Sequence, residues 1–162
     1  MMTQVEITSL RKRVSDAIFE RIACATWIGT ATGVETGFSQ TGKKVKLFHE
    51  AQAKPSFYLH KSGEVFTPRS ETPYLRSMRF DAIIYHDNAK NYPDLPPSDE
   101  SDAILSAVEA VLQPHYADEG YPTRNTLGEI VHAVTLDGEA HLDHGDIDGE
   151  GMLRIPIRVI LP

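Results

Sequence analysis

The stretch from Leu153 to Leu161 constrains the fold more than any other part of the sequence. Leu153, Ile155, Ile157, Val159 and Leu161 alternate with Arg154, Pro156 and Arg158. A period of two places one set on a buried face and the other toward water or a partner. The segment from Tyr74 to His86 has the same pattern. Tyr74, Met78, Phe80, Ala82 and Ile84 fall on one side, with Ser77, Arg79, Asp81, Ile83 and Tyr85 on the other. Two one-sided strands of this length need a sheet and an apolar layer to cover it. Ile83 and Tyr85 leave the second face partly apolar, which points to a partner or a covering loop. Pro156 lacks an amide donor, so its strand either has an edge or turns that position outward.

The covering layer is legible as helices. Ile7, Leu10, Val14, Ile18 and Ile22 recur at spacings of three and four, predicting an amphipathic helix over about residues 4 to 25. A second helix should begin near Ser98 or Asp99, carry Ile104, Leu105, Val108, Val111 and Leu112 on one face, and stop before Pro114. Between the helices, residues 29–43 hold four glycines and several threonines and read as a loop. Short strands are expected at Val45–His49 and Ser56–Lys61, with a turn at Ser62-Gly63. Residues 87–97 read as a proline-rich loop and 114–126 as a polar connection. Glu129–Leu136 and Glu139–His144, joined by Asp137-Gly138, read as a hairpin, because that dipeptide suits a tight turn with positive φ. The order is α-β-β-β-α-β-β-β. It predicts an α+β fold: an antiparallel or mixed β-sheet with two main helices packed on one face, in a single domain over 1–162. A Rossmann arrangement would need strict alternation of strand and helix, which is absent.

The formal charge of −7, from 16 basic and 23 acidic residues, argues against a nucleic-acid-binding surface, because phosphate contacts require clustered Lys and Arg. Arg11, Lys12 and Arg13 are the one tight basic cluster, and they read as the solvated face of the first helix. Cys24 is the single cysteine; it excludes an intrachain disulfide and reads as a small core residue in a reducing compartment. The N-terminus lacks a signal-peptide pattern and no apolar run reaches membrane-spanning length.

Side chains able to do chemistry are present without a matching pattern. His141, Asp143, His144, Asp146, Asp148 and Glu150 form the densest group. Aligning an EF-hand loop on Asp146, Asp148 and Gly149 puts His144 first and Ile155 twelfth, where oxygen ligands are required. H-x-x-H at a strand end supplies neither the one-face spacing nor the glutamate base of a helical zinc motif. No phosphate-binding loop or nucleophile elbow occurs. The seven histidines are scattered, and His132, at an alternating strand position, reads as a packed core residue. No cofactor and no catalytic residue are expected, and the chain does not read as an enzyme.

One resemblance covers most of the chain. Thr126-Leu127-Gly128, a strand, Asp137-Gly138, an acidic stretch and the final Leu153-Arg154-Ile155-Pro156-Ile157-Arg158-Val159-Ile160 strand are similar to the end of bacteriophage tail-terminator and related minor tail proteins. The Lys54–Leu59 segment, K-P-S-F-Y-L, and the proline-rich loop before the second helix also fit that layout. The match departs at Glu129, where a second glycine is common, and in the length of the glycine-rich loop. The resemblance implies a virion protein made in the host cytoplasm, forming a homo-oligomeric ring, hexameric in the family. Such a ring caps the tail tube, ends its polymerisation and joins it to the head. A neck or head-completion protein is the alternative role, and a metal-dependent enzyme using the 141–150 His/Asp cluster ranks behind it. The implied partners are further copies of the chain, the tail-tube protein and the neck or head-tail connector, with DNA passing through the lumen unbound and no membrane. Ring contacts would draw on the loops, at Gly33, Gly37, Phe38, Tyr92 and Leu95, and on the two-sided strand, at Ile83 and Tyr85.

Overall fold

The computed structural model describes residues 3–30, 32–68, 75–87, 96–112, 126–145 and 150–162. In chain order these form α1 (Gln4–Ala23), β1 (Thr26–Ile28), β2 (Glu35–Gly37), β3 (Gln40–Gly42), β4 (Ser56–Thr67), β5 (Leu75–Asp87), α2 (Pro97–Leu112), β6 (Ala133–Leu136), β7 (His141–Asp143) and β8 (Glu150–Ile160), with a single 3-10 turn at Phe48–Glu50. The class is α+β, as the sequence predicts.

The main sheet has the order β3-β4-β5-β8-β6, with β7 also paired to β8. β3 runs parallel to β4 and every other pairing is antiparallel, so the sheet is mixed. Two long strands at its centre, β5 and β8, are those whose alternation is clearest in the sequence. Their register sets Phe80 opposite Ile157, Ala82 opposite Ile155 and Ile84 opposite Leu153. Both helices cover that face. Leu10, Val14, Ile18 and Ile22 of α1 and Ile104, Val108 and Leu112 of α2 join Phe57, Leu59 and the β5 and β8 apolar residues in one buried cluster. Fully burying one such Ile or Val stabilises the fold by about 1.5–3 kcal/mol. This sum over the stripe, rather than helix propensity, holds α1 in place. α2 opens on Pro97, at a position where the missing amide costs nothing, and places Asp99 and Glu100 in its first turn.

Several local expectations fail, each for an identifiable reason. The predicted 129–144 hairpin does not form. β6 pairs with residues 157–160 of β8 and β7 with residues 152–154, so the two lie end to end along one edge of β8. Pro156 explains the break. Its carbonyl accepts from Asp137 N at 3.4 Å, so the missing amide of the same residue faces the same edge. A partner strand cannot continue its ladder there, and the chain turns through Gly138, whose φ is +124°.

The expected turn at Ser62-Gly63 is instead a register shift inside β4, which runs on to Thr67 beside β5. The expected strand at 45–49 is absent; residues 43–51 form a strap that includes the 3-10 turn. The expected loop at 29–43 contains two strands: β2 pairs with β1 as a hairpin and β3 joins the main sheet. β6 begins at Ala133, not Glu129, so His132 lies outside the strand and is exposed. Cys24 is also exposed, because α1 ends at Ala23 and the buried stripe continues through Ile22 to Ala25. The residues of the predicted 114–126 connection lie outside the described part except for Thr126.

Candidate functional site

The β1–β2 hairpin stands beside the amino end of α2 and is tied to it by one carboxylate. Trp27 Nε1 donates to Glu100 Oε1 at 2.9 Å; Thr30 N and Thr30 Oγ1 donate to Oε2 at 3.0 and 2.8 Å. Burial alone would push the Glu100 carboxyl up, but these three bonds and nearby His86 outweigh it and hold the group below its ordinary value. Behind Glu100, Ser101 Oγ and His86 Nε2 share a hydrogen bond of 2.9 Å. Both residues are buried. Burial keeps the His86 imidazole below its usual value, against the pull of the Glu100 carboxylate. A serine bonded to a histidine suggests nucleophilic catalysis, but both groups are buried out of reach of a substrate. The pair anchors α2 to the end of β5.

The sheet face opposite the helices is only partly covered. The strap lays Phe48 and Ala51 over Tyr58 and Tyr85, with Ile83 and Met152 at the margin. Tyr85 Oη donates to Lys46 O at 2.6 Å, and burial raises its phenol pKa. Beyond the strap the face is ionic. Arg154 bonds Asp81 at 2.7 Å, while Arg79 and Arg158 share Asp137 at 3.5 and 3.4 Å. At the other margin of the molecule Arg11 and Lys61 converge on Glu64, whose carboxyl is held down at about 2, chiefly by the Arg11 hydrogen bond.

The residues expected at ring contacts are distributed unevenly. Gly33 lies at the exposed tip of the β1–β2 hairpin with φ +67°. Gly37 is within β2. Phe38 packs inside the subunit, its ring centroid 5.1 Å from Trp27 and 5.5 Å from Phe57. Tyr85 is buried beneath the strap and Ile83 is half-buried. Tyr92 and Leu95 lie outside the described residues. The hairpin instead presents Ile28 and Val34, which the sequence reading did not single out and which are 60% and 62% exposed. Their signal was hidden because a three-residue strand carries too little alternation to read.

The acidic His/Asp group is not assembled into a metal centre among the described residues. His141 and Asp143 are exposed on β7, and His141 stands opposite the Arg154 cation. Asp143 Oδ1 accepts Gly145 N at 3.0 Å, a local turn contact. Asp146 and Asp148 lie outside the described residues. No described helix is long and apolar enough to cross a membrane.

No family model and no curated protein sequence matches the chain. Its fold is similar to that of a chain in the solved virion of a native gene transfer agent particle. The two share 11% identity and superpose with a TM-score of 0.53, over 94% of this chain and 96% of that one.

Proposed function

We propose that this chain is a structural subunit of a phage-like virion that assembles as a ring on the end of the tail tube. There it stops tube growth and offers a surface to the neck. The observation that carries this reading is the fold shared with a virion chain over nearly the whole length of both molecules. The layout of the last two strands, with the terminal I-P-I sequence, supports the tail end as the place of action.

Physical features of the subunit are compatible with such a role. Polar side chains are committed to tying elements together, as Glu100 ties the hairpin to α2. The two long central strands give a stiff scaffold, and the exposed apolar positions Ile28 and Val34 lie on a short projecting hairpin. A ring of identical subunits needs two different patches that match each other, and a projecting hairpin is one way to reach a neighbour.

The test is whether particles contain the chain and need it. Mass spectrometry of purified virions should find it in a small fixed copy number, and deleting the gene should yield tails of irregular length. Full heads with normal tails in the deletion strain contradict the proposal. Complete tails that fail to join heads would move the assignment to the neck.

A further inference from the structure

The strap over the outer sheet face is bonded mainly to itself. Glu50 N and Ala51 N donate to Leu47 O at 3.0 and 3.2 Å, and Leu47 N donates to Glu50 Oε2 at 3.0 Å. Lys54 Nζ donates to Ala51 O at 3.2 Å and sits 4.0 Å from the centroid of the Phe48 ring. Both ends of the strap are tied down. Lys43 is paired with Asp16 of α1. Beyond Ala51, Ala53 N donates to Gln40 Oε1 at 3.3 Å and Pro55 O accepts from Ser39 N at 2.8 Å. Between those ends, among the described residues, one hydrogen bond joins the strap to the strands beneath, from Tyr85 Oη to Lys46 O. The rest of the contact is apolar. Phe48 meets the Tyr85 ring edge-on with centroids 5.6 Å apart, and Ala51 joins the same cluster.

The polar groups beneath the strap are not all satisfied. Along β4, Phe57 and Leu59 point into the core under the helices, so Ser56 and Tyr58 alternate onto the strap side. Ser56 is 0% and Tyr58 1% exposed, yet Ser56 Oγ and Tyr58 Oη have no hydrogen-bond partner among the described residues. Buried hydroxyls without partners favour any state that returns them to water. Closure is therefore favoured by one hydrogen bond and the Phe48 and Ala51 contacts, and opposed by two hydroxyls. The ladder below does not need the strap. β4 pairs with β5, and β5 with β8, through their own backbone bonds.

We propose that residues 44–51 act as a hinged cover that lifts from the folded sheet as a unit, pivoting at Lys43 and Ala53. Lifting exposes Tyr58 and Tyr85, with Ile83 and Met152 beside them, and hydrates both buried hydroxyls. The 3-10 turn keeps its internal bonds in both states. Only the Tyr85 to Lys46 bond and the Phe48 and Ala51 contacts are exchanged for contacts with water. Such sub-global openings cost less than global unfolding and occur where few contacts hold a segment. The inference concerns the subunit alone and stands whether or not the chain builds a ring.

Nitration of tyrosine by tetranitromethane, read peptide by peptide by mass spectrometry, measures how often each buried phenol is uncovered. Rates are referred to those of the same variant unfolded in urea, and denaturant unfolding checks that every variant folds. Tyr58→Phe should slow the labelling of Tyr85 about fivefold, because the closed strap then buries one unpaired hydroxyl fewer. Ser56→Ala should act in the same direction. Tyr85→Phe should speed the labelling of Tyr58 about fivefold, through loss of the bond to Lys46. Val108→Ala in α2 should lower the urea midpoint and leave both rates unchanged, because it weakens the core on the other side of the sheet. Faster labelling of Tyr85 in both Tyr58→Phe and Ser56→Ala overturns the proposal, since the hydroxyls would then be satisfied when the strap is closed. Rates that rise in Val108→Ala in step with lost global stability overturn it as well, since the phenols would then be reached only by unfolding.

Discussion

Gly151 stands so close to His86 that a Cβ built on it would lie 2.2–2.6 Å from three atoms of the imidazole ring. That approach lets the ring reach Ser101 at the start of α2. Replacing Gly151 with Ala should cost about 1–3 kcal/mol through the forced shift of a packed group, read as a lower urea midpoint with unchanged slope. The same histidine predicts a pH dependence. Its folded pKa lies below the ordinary 6.5, so the unfolded chain binds more protons as the solution is acidified. The stability it contributes is complete above about pH 6.5 and declines as pH falls below it toward the depressed folded value. Glu100 on α2 and Asp87 on β5 oppose the depression and His144 adds to it, so the measured slope reports their sum. Equilibrium unfolding at a series of pH values should show stability rising from mild acid to neutrality, and His86→Gln should flatten that rise. Glu64 acts at lower pH. Its contribution is present above about 4.5 and is lost as pH falls through about 2. None of these contacts was legible in the sequence, because the pairing of β5 with β8 sets His86 against Gly151 and only the packing of α2 brings Ser101 to the ring.

At the scale of elements, long periodic segments were readable and short ones were not. α1, α2, β5 and β8 each carry enough turns or alternations to fix their type, and their apolar faces form the core as predicted. The covering-loop reading of Ile83 and Tyr85 also agrees with the strap over Tyr85. The hairpin expected from Asp137-Gly138 shows where the reading stopped. Gly138 turns with positive φ but Asp137 does not, so the expected type I′ turn is not formed, and turn residues do not say which strand receives the edges on either side. Pro156 of β8 decides where that edge is interrupted, and the two pieces pair with β8 on either side of it. The glycine-rich segment failed differently. Its three-residue strands are held by tertiary contacts, such as Phe38 against Trp27, and not by local preference. This gives an element-level prediction. Glu100→Ala should free the β1–β2 hairpin from α2 by removing the acceptor of three hydrogen bonds. Trp27 is the single tryptophan and is buried, so its emission should shift to the red while the far-ultraviolet dichroism of the helices holds. An unshifted spectrum would mean that packing on Phe38 alone fixes the hairpin.

For the whole molecule, the sequence made the α+β layout readable, while the surfaces that would build an assembly are products of the fold. Ring contacts were expected on the loops and on the two-sided strand at Ile83 and Tyr85. The described surface offers a projecting hairpin from the first of those segments, with Gly33 at its tip and Ile28 and Val34 exposed beside it. Replacing Ile28 and Val34 with Ser should leave the subunit as stable as the wild type to within about 0.5 kcal/mol, since both side chains are largely exposed. If the hairpin reaches a neighbour, the same pair should weaken assembly on the tube. The most direct measurement of the central claim is the length distribution of tail tubes polymerised from tube subunits with and without this protein, by negative-stain electron microscopy. Shorter tubes, each with a ring at one end and in proportion to the protein added, are the expected result. Tubes of unchanged length with bare ends would contradict it.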